Sequence, residues 1–244
     1  MGGLQLTCFC ASLVLTVASI LPPNCPDKED LKPCTCDYEG INCFHVVDSN
    51  DLKRAMQTNP SDPRLRSFWL TGTELTEIKA YTFQKYSIVQ MFLDFNRLNK
   101  LEDNAFVGGS ESTLVYLGLS NNEFTSYPMN ALRILKALIS VNFENNKITK
   151  VPNFAFKSSK DLVEVNLANN VISHVGKMAF VNLRKLRKVD LSNNQLVSVG
   201  ILIFPNTNIV YYKDSRDAAE PDASNTEVVI ELQGNPIGIE SSPQ

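Results

Sequence analysis

Apolar and polar positions repeat along this chain with a spacing that neither an amphipathic helix nor a simple alternating strand produces. In LVYLGLSNNEF (residues 114–124) large apolar side chains take the first, fourth, sixth and eleventh places, and an asparagine takes the ninth. The spacing returns in LRSFWLTGTEL (65–75), IVQMFLDFNRL (88–98), LISVNFENNKI (138–148), LVEVNLANNVI (162–172), LRKVDLSNNQL (186–196) and, more weakly, EVVIELQGNPI (227–237). Successive starts lie 23, 26, 24, 24, 24 and 41 residues apart. The ninth place reads Thr73, Asn96, Asn122, Asn146, Asn170, Asn194 and Asn235. Eighteen places after each of the first six starts stands another large apolar residue: Phe83, Phe106, Leu132, Phe156, Phe180 and Phe204. No period of 3.6 is sustained, which excludes one long helix. Self-similarity at this interval marks a stacked array.

In the leucine-rich repeat pattern, which these strings resemble, each unit supplies one short parallel strand and returns along the opposite side. Places one, four, six and eleven point inward, and the phenylalanine row fills the convex half of the core. Where the strand ends, the turning backbone has donors and acceptors that must be paired if buried. Asparagine offers an acceptor and two donors on a short side chain, so the asparagine column is read as structural. Thr73 can bond less and suits an atypical first unit.

These strings match LxxLxLxxNxL, and over about residues 65–237 the chain resembles the leucine-rich repeat family. The resemblance implies an α/β repeat solenoid, a horseshoe with a parallel concave sheet of about seven strands.

The segments outside the array read as follows. LQLTCFCASLVLTVASI (4–20) is apolar and uncharged, with Pro22 and Pro23 after it; residues 1–19 read as a secretory signal, which implies a secreted, extracellular protein without membrane insertion. Cys25, Cys34, Cys36 and Cys43 cluster in residues 20–64. Such a cluster suits zinc or disulfides, and an oxidising destination favours disulfides. CPDKEDLKPCTCDYEGINC (25–43) resembles the amino-terminal caps of extracellular leucine-rich repeat proteins, which implies Cys25–Cys36 and Cys34–Cys43 bridges. DLKRAM predicts one or two helical turns started by Ser49 or Asn50. Residues 65–244 form the solenoid, with an insertion at about 205–226, exposed and turn-rich, and no cysteine-rich carboxyl cap. The last strand's edge needs cover, either from IVYY (209–212) folding back or from a partner subunit.

Function in such an array is sought on the strand face that points away from the core. Place five reads Trp69, Phe92, Gly118, Asn142, Asn166, Asp190, Glu231; place three reads Ser67, Gln90, Tyr116, Ser140, Glu164, Lys188, Val229. The face splits into an aromatic end (Trp69, Phe92, Phe95 and Tyr116, with Gly118 leaving a gap beside Phe92) and an amide- and acid-rich remainder (Asn142, Glu164, Asn166, Asp190). An outward aromatic cluster suits a protein partner, unless the cap or residues 44–63 cover Trp69 and Phe92. The polar half suits a glycan or a receptor, as in an extracellular-matrix or immune-type recognition protein.

Enzymatic chemistry finds little support. Glu164 and Asp190 lie roughly 8 Å apart by strand geometry, within the range of an inverting glycosidase, but Lys188 beside Glu164 suggests a surface ion pair. His45 and His174 have no nucleophile at a revealing spacing. No cofactor or metal motif is present, and the formal net charge of -3 gives a nucleic-acid partner no electrostatic support. The cap string followed by DLKRAM and a short array is also similar to a group of secreted arthropod proteins, the family of the non-catalytic subunit of oplophorus-luciferin 2-monooxygenase. That resemblance implies an accessory role in a hetero-oligomer, with the chemistry on another chain.

Overall fold

The computed structural model describes residues 25–199, 208–212 and 227–237. The signal reading at 1–19, Phe204 and the remainder of 205–226 lie outside the described residues. The chain opens with a helical turn, α1 (Lys28–Leu31), followed by an antiparallel pair, β1 (Thr35–Cys36) and β2 (Gly40–Asn42). Disulfides join Cys25 to Cys36 and Cys34 to Cys43, the pairing implied by the cap resemblance. The helix expected around DLKRAM is α2 (Ser49–Ala55). Its cap is one residue earlier than expected: the Asp48 carboxylate accepts from the backbone N–H groups of Asn50 and Asp51 at 2.7 and 2.9 Å. Asp48 wins because its backbone is extended (φ -143°), the conformation an N-cap needs, whereas Ser49 and Asn50 are already helical.

The repeats follow as β3 (Arg64–Trp69), β4 (Glu77–Ile78), β5 (Ser87–Phe92), β6 (Lys100–Leu101), β7 (Tyr116–Gly118), β8 (Ser140–Asn142), β9 (Lys150–Val151), β10 (Glu164–Asn166), β11 (His174–Val175) and β12 (Lys188–Asp190). A helical turn, α3 (Met129–Leu132), stands in the third repeat. Last come β13 (Asn208–Tyr212) and β14 (Glu227–Glu231). The main sheet runs β1-β2-β3-β5-β7-β8-β10-β12-β14-β13. Seven of its strands are the repeats, and the cap and β13 extend it at either end. The pairs β4–β6 and β9–β11 lie off the main sheet.

The inward places interlock between coils. Leu114, Leu117, Leu119 and Phe124 are buried, as are Phe83, Phe106, Phe156 and Phe180. The Phe83–Phe106 and Phe156–Phe180 rings stack at 6.0 and 5.0 Å. The asparagine column closes the polar account. Asn146 Nδ2 donates to the carbonyls of Leu119 in the previous coil and Phe143 in its own, at 2.9 and 3.0 Å, while its Oδ1 accepts from Phe124 N at 3.1 Å. Asn122, Asn170 and Asn194 repeat the arrangement. Asn96 instead accepts from the N–H and hydroxyl of Thr73, so the atypical first unit is held by its neighbour's amide.

At the carboxyl end, β14 lies beside β12, and β13 pairs with the far side of β14 in parallel, Asn208 opposite Glu227 through Tyr212 opposite Glu231. Residues 208–212 are therefore the edge strand of the sheet, the folding back of IVYY that the uncovered edge called for. The apolar IVYY segment supplies backbone partners that β14 would otherwise lack.

Candidate partner-binding face

The parallel register aligns like places across the sheet. Trp69, Phe92, Gly118, Asn142, Asn166, Asp190 and Glu231 are successive partners. Strands about 4.8 Å apart bring the outward aromatics of the first three repeats into contact. Trp69 and Phe92 stack at 5.8 Å, 7° from parallel, and Phe92 meets Tyr116 at 5.0 Å with a 41° tilt. All three are half-buried. The rings face one another along the row and present edges to solvent. Burial pushes the Tyr116 phenol above its ordinary pKa, and the Asp94 and Glu164 charges push it further.

On the row itself the cap contributes Asn42, the partner of Trp69 across β2 and β3. The polar contacts of α2 and its flank run to the convex side of the first repeat: Ser49 Oγ donates to Glu77 O at 2.7 Å, and Gln57 Nε2 to Tyr81 O at 2.9 Å.

Phe95 stands at the rim where the strands end, at place eight. The other occupants of that place are Gly72, Asn121, Asn145, Asn169, Asn193 and Gly234, and every one has positive φ. Glycine and asparagine tolerate this left-handed turn; a bulky side chain does so at a cost. Phe95 nevertheless holds φ 57° with 63% of its surface exposed. Tyr81, Phe154 and Met178 also hold positive φ with exposed side chains at the return turns of their coils, so the conformation comes from the coil, and what sets Phe95 apart is its larger exposure beside the aromatic row.

The gap expected beside Phe92 is filled. A Cβ on Gly118 would lie 2.3 Å from the Asp94 carboxylate, which spans the glycine to accept from Ser120 N and Ser120 Oγ at 2.8 and 2.7 Å. In the later coils the place-five side chain does this work itself. Asn142 accepts from Glu144 N, Asn166 from Ala168 N, and Asp190 from Ser192 N, at 2.9–3.0 Å. Asp94 stands in for the acceptor that Gly118 lacks. Sequence reasoning passed over Asp94. Comparing place seven with place five, column by column, would have shown a carboxylate in the coil next to the glycine.

The polar half is internally bonded. Glu144, also passed over, accepts from Asn166 Nδ2 at 3.2 Å and Asn169 Nδ2 at 3.1 Å. Lys188 pairs with Glu231 at 3.1 Å rather than with Glu164, its lateral neighbour. Burial opposes the Lys188 charge, but the Glu231 hydrogen bond and the nearby Asp190 and Glu164 charges outweigh it and raise its pKa. Burial also raises the pKa of Glu231, helped by its bond to Asp190. Of the polar candidates, Glu164 is exposed, while Asn142, Asn166 and Asp190 are half-buried. His174 lies exposed on β11, and His45 is exposed in the cap.

The decisive observation is the coil itself: one strand per 23–26 residues over the first six repeats, an inward asparagine at each strand end after the first, and a convex phenylalanine or leucine in each of the first five. The fold is a leucine-rich repeat solenoid. A profile of the Leucine rich repeat family matches residues 136–196. The solved leucine-rich repeat domain of APL1 superposes with a TM-score of 0.53 at 20% identity, covering 74% of this chain and 43% of that one. Human 5T4 (Wnt-activated inhibitory factor 1, trophoblast glycoprotein) superposes with a TM-score of 0.50 at 21% identity, covering 70% of this chain and 72% of that one. In sequence the chain is similar to the non-catalytic subunit of oplophorus-luciferin 2-monooxygenase from Oplophorus gracilirostris, 30% identical over 119 residues. That match takes in 44% of this chain and about a third (32%) of the relative's length. Among the described residues no helix is long and apolar enough to cross a membrane.

Proposed function

We propose that this chain is a secreted, non-catalytic leucine-rich repeat module that holds another protein through the amino-terminal end of its concave face, as the accessory subunit of a secreted complex. The observation that carries the reading is the half-exposed row Trp69–Phe92–Tyr116 with the exposed, conformationally disfavoured Phe95 at its rim. Desolvated aromatics in a polar surround are where binding energy concentrates. Similarity to a subunit named as non-catalytic and the disulfide-linked cap support the reading. The alternative, glycan or receptor recognition through Asn142, Glu164, Asn166 and Asp190, loses ground because three of those four side chains accept from their own turn backbone. Catalysis by Glu164 and Asp190 loses ground for the same reason, since the Asp190 carboxylate also accepts from Ser192 Oγ at 2.7 Å.

The test is co-purification from the secreted fluid of the source. Wild type is expected to retain a stoichiometric companion. The Trp69→Ala/Phe92→Ala variant should bind that companion about 30-fold or more weakly, the size of a hot-spot loss, with secretion and thermal midpoint near wild type. A lone monomer, or a variant of unchanged affinity, would remove the reading.

A further inference from the structure

A second surface stands apart from the concave face and carries the opposite charge. Residues 129–188 contain eleven Lys or Arg against three Asp or Glu, in a chain whose formal net charge is -3. The excess follows the repeat. Lys136, Lys160 and Arg184 occupy the same place, two residues before the next unit starts, in three successive coils. Arg133 and Lys157 share another place three residues earlier in the first two of those coils. All five side chains are exposed. Among the described residues none of them is in an ion pair, whereas Lys100, Lys147 and Lys188 all are.

The register places the cations on one line. Lys160 precedes β10 and Arg184 precedes β12, which are parallel neighbours. The column therefore runs along the rim where the strands begin, opposite the rim that carries Phe95 and the asparagines. A cleft of about 510 Å³ opens there, lined by Lys160, Asp161, Asn182, Arg184 and Lys185. Its one carboxylate, Asp161, is taken up by Lys185 at 2.7 Å, which leaves the Lys160 and Arg184 charges unneutralised. Like charges kept in a row on adjacent coils repel one another, and a bound counter-charge relieves that repulsion.

We infer that this rim binds a linear sulfated polysaccharide, laid along the column so that successive anionic groups meet Lys136, Lys160 and Arg184, with Lys157 and Arg133 flanking. A row on several coils suits an extended polyanion better than a single phosphate. Nucleic acid is disfavoured, because the rest of the chain is acidic and the disulfide-linked cap belongs to an oxidising compartment. The inference is independent of the concave face, whose aromatic row lies on other strands.

The probe is a size-defined heparin oligosaccharide, titrated into the full secreted chain with its disulfides intact. Wild type is expected to bind at about 150 mM salt, with affinity falling as salt rises. Lys160→Ser/Arg184→Ser should weaken binding at least ten-fold and reduce the slope of log K against log salt by about two. Lys100→Ser, on another part of the surface, should leave both unchanged. The inference is overturned by absence of binding, by equal losses in the two variants, or by equally tight binding of the desulfated oligosaccharide. Equally tight binding of single-stranded DNA of the same length would overturn the assignment to a sulfated glycan.

Discussion

At the scale of single residues, the same side chain serves different ends according to its place in the unit. An asparagine at place nine is buried and bonds three or four backbone groups of two coils. An asparagine at place eight is there because its short polar side chain tolerates a left-handed backbone. Phe95 breaks the second rule. If it is kept for binding, then Phe95→Asn should relieve the disfavoured conformation, raising stability by about 1 kcal/mol in urea unfolding. The same substitution should weaken the companion's binding. A variant that is less stable, or binds unchanged, would show that Phe95 packs rather than recognises. Phe95 was legible as an outward aromatic. Its strain was not, because the sign of φ follows from the shared turn of stacked coils.

At the scale of elements, the cap and the edge strand solve one problem at opposite ends of a one-dimensional stack. Each coil buries its apolar face only against its neighbours, so the terminal coils need covers. Leu31, Ile41, Leu52, Ala55 and Met56 of the cap join the same core as Leu65 and Phe68 of the first repeat. Removing the inner bridge by Cys34→Ala/Cys43→Ala is expected to cost about 2–4 kcal/mol. Nearest-neighbour coupling says where the loss appears. In hydrogen exchange, β3 and β5 should lose protection while β10 and β12 keep theirs, and a uniform loss across the sheet would contradict the picture. The helix α2 was legible from DLKRAM, but its cap was misplaced by one residue. Ser49, Asn50 and Asp48 are all competent caps in isolation, and the choice is made by the turn that brings the chain out of the cap.

At the scale of the whole molecule, the solenoid separates its chemistries. The aromatic row lies at one end of the concave face, the amide- and acid-rich surface at the other, and the cation column along one rim. These surfaces should answer differently to salt. Raising salt from about 50 to 500 mM should change the companion's affinity by less than about three-fold, because apolar contacts are little screened. Binding of the sulfated oligosaccharide should fall by orders of magnitude over the same range. Titration of both ligands across the salt series checks this. A companion that is released by salt would shift the protein site to Glu164 and its neighbours.

The one-dimensional order of the repeat explains what could be read without coordinates. A unit that packs only on its neighbours carries its burial pattern, its strand register and its outward rows in its own spacing, so the sheet, the asparagine column and the row of Trp69, Phe92 and Tyr116 were all determined by the amino-acid sequence. The cysteine spacing, by resemblance, carried the bridges. Tertiary structure decided whatever depends on reach between coils. It closed the gap at Gly118 with Asp94, drew Lys188 to Glu231 instead of Glu164, laid residues 208–212 against the last repeat as a strand, and turned the polar contacts of α2 to the convex side of the first repeat. Side-chain length, rotamer and charge neutralisation across a strand spacing of about 4.8 Å settle those pairings, and a repeat pattern states only which residues are neighbours.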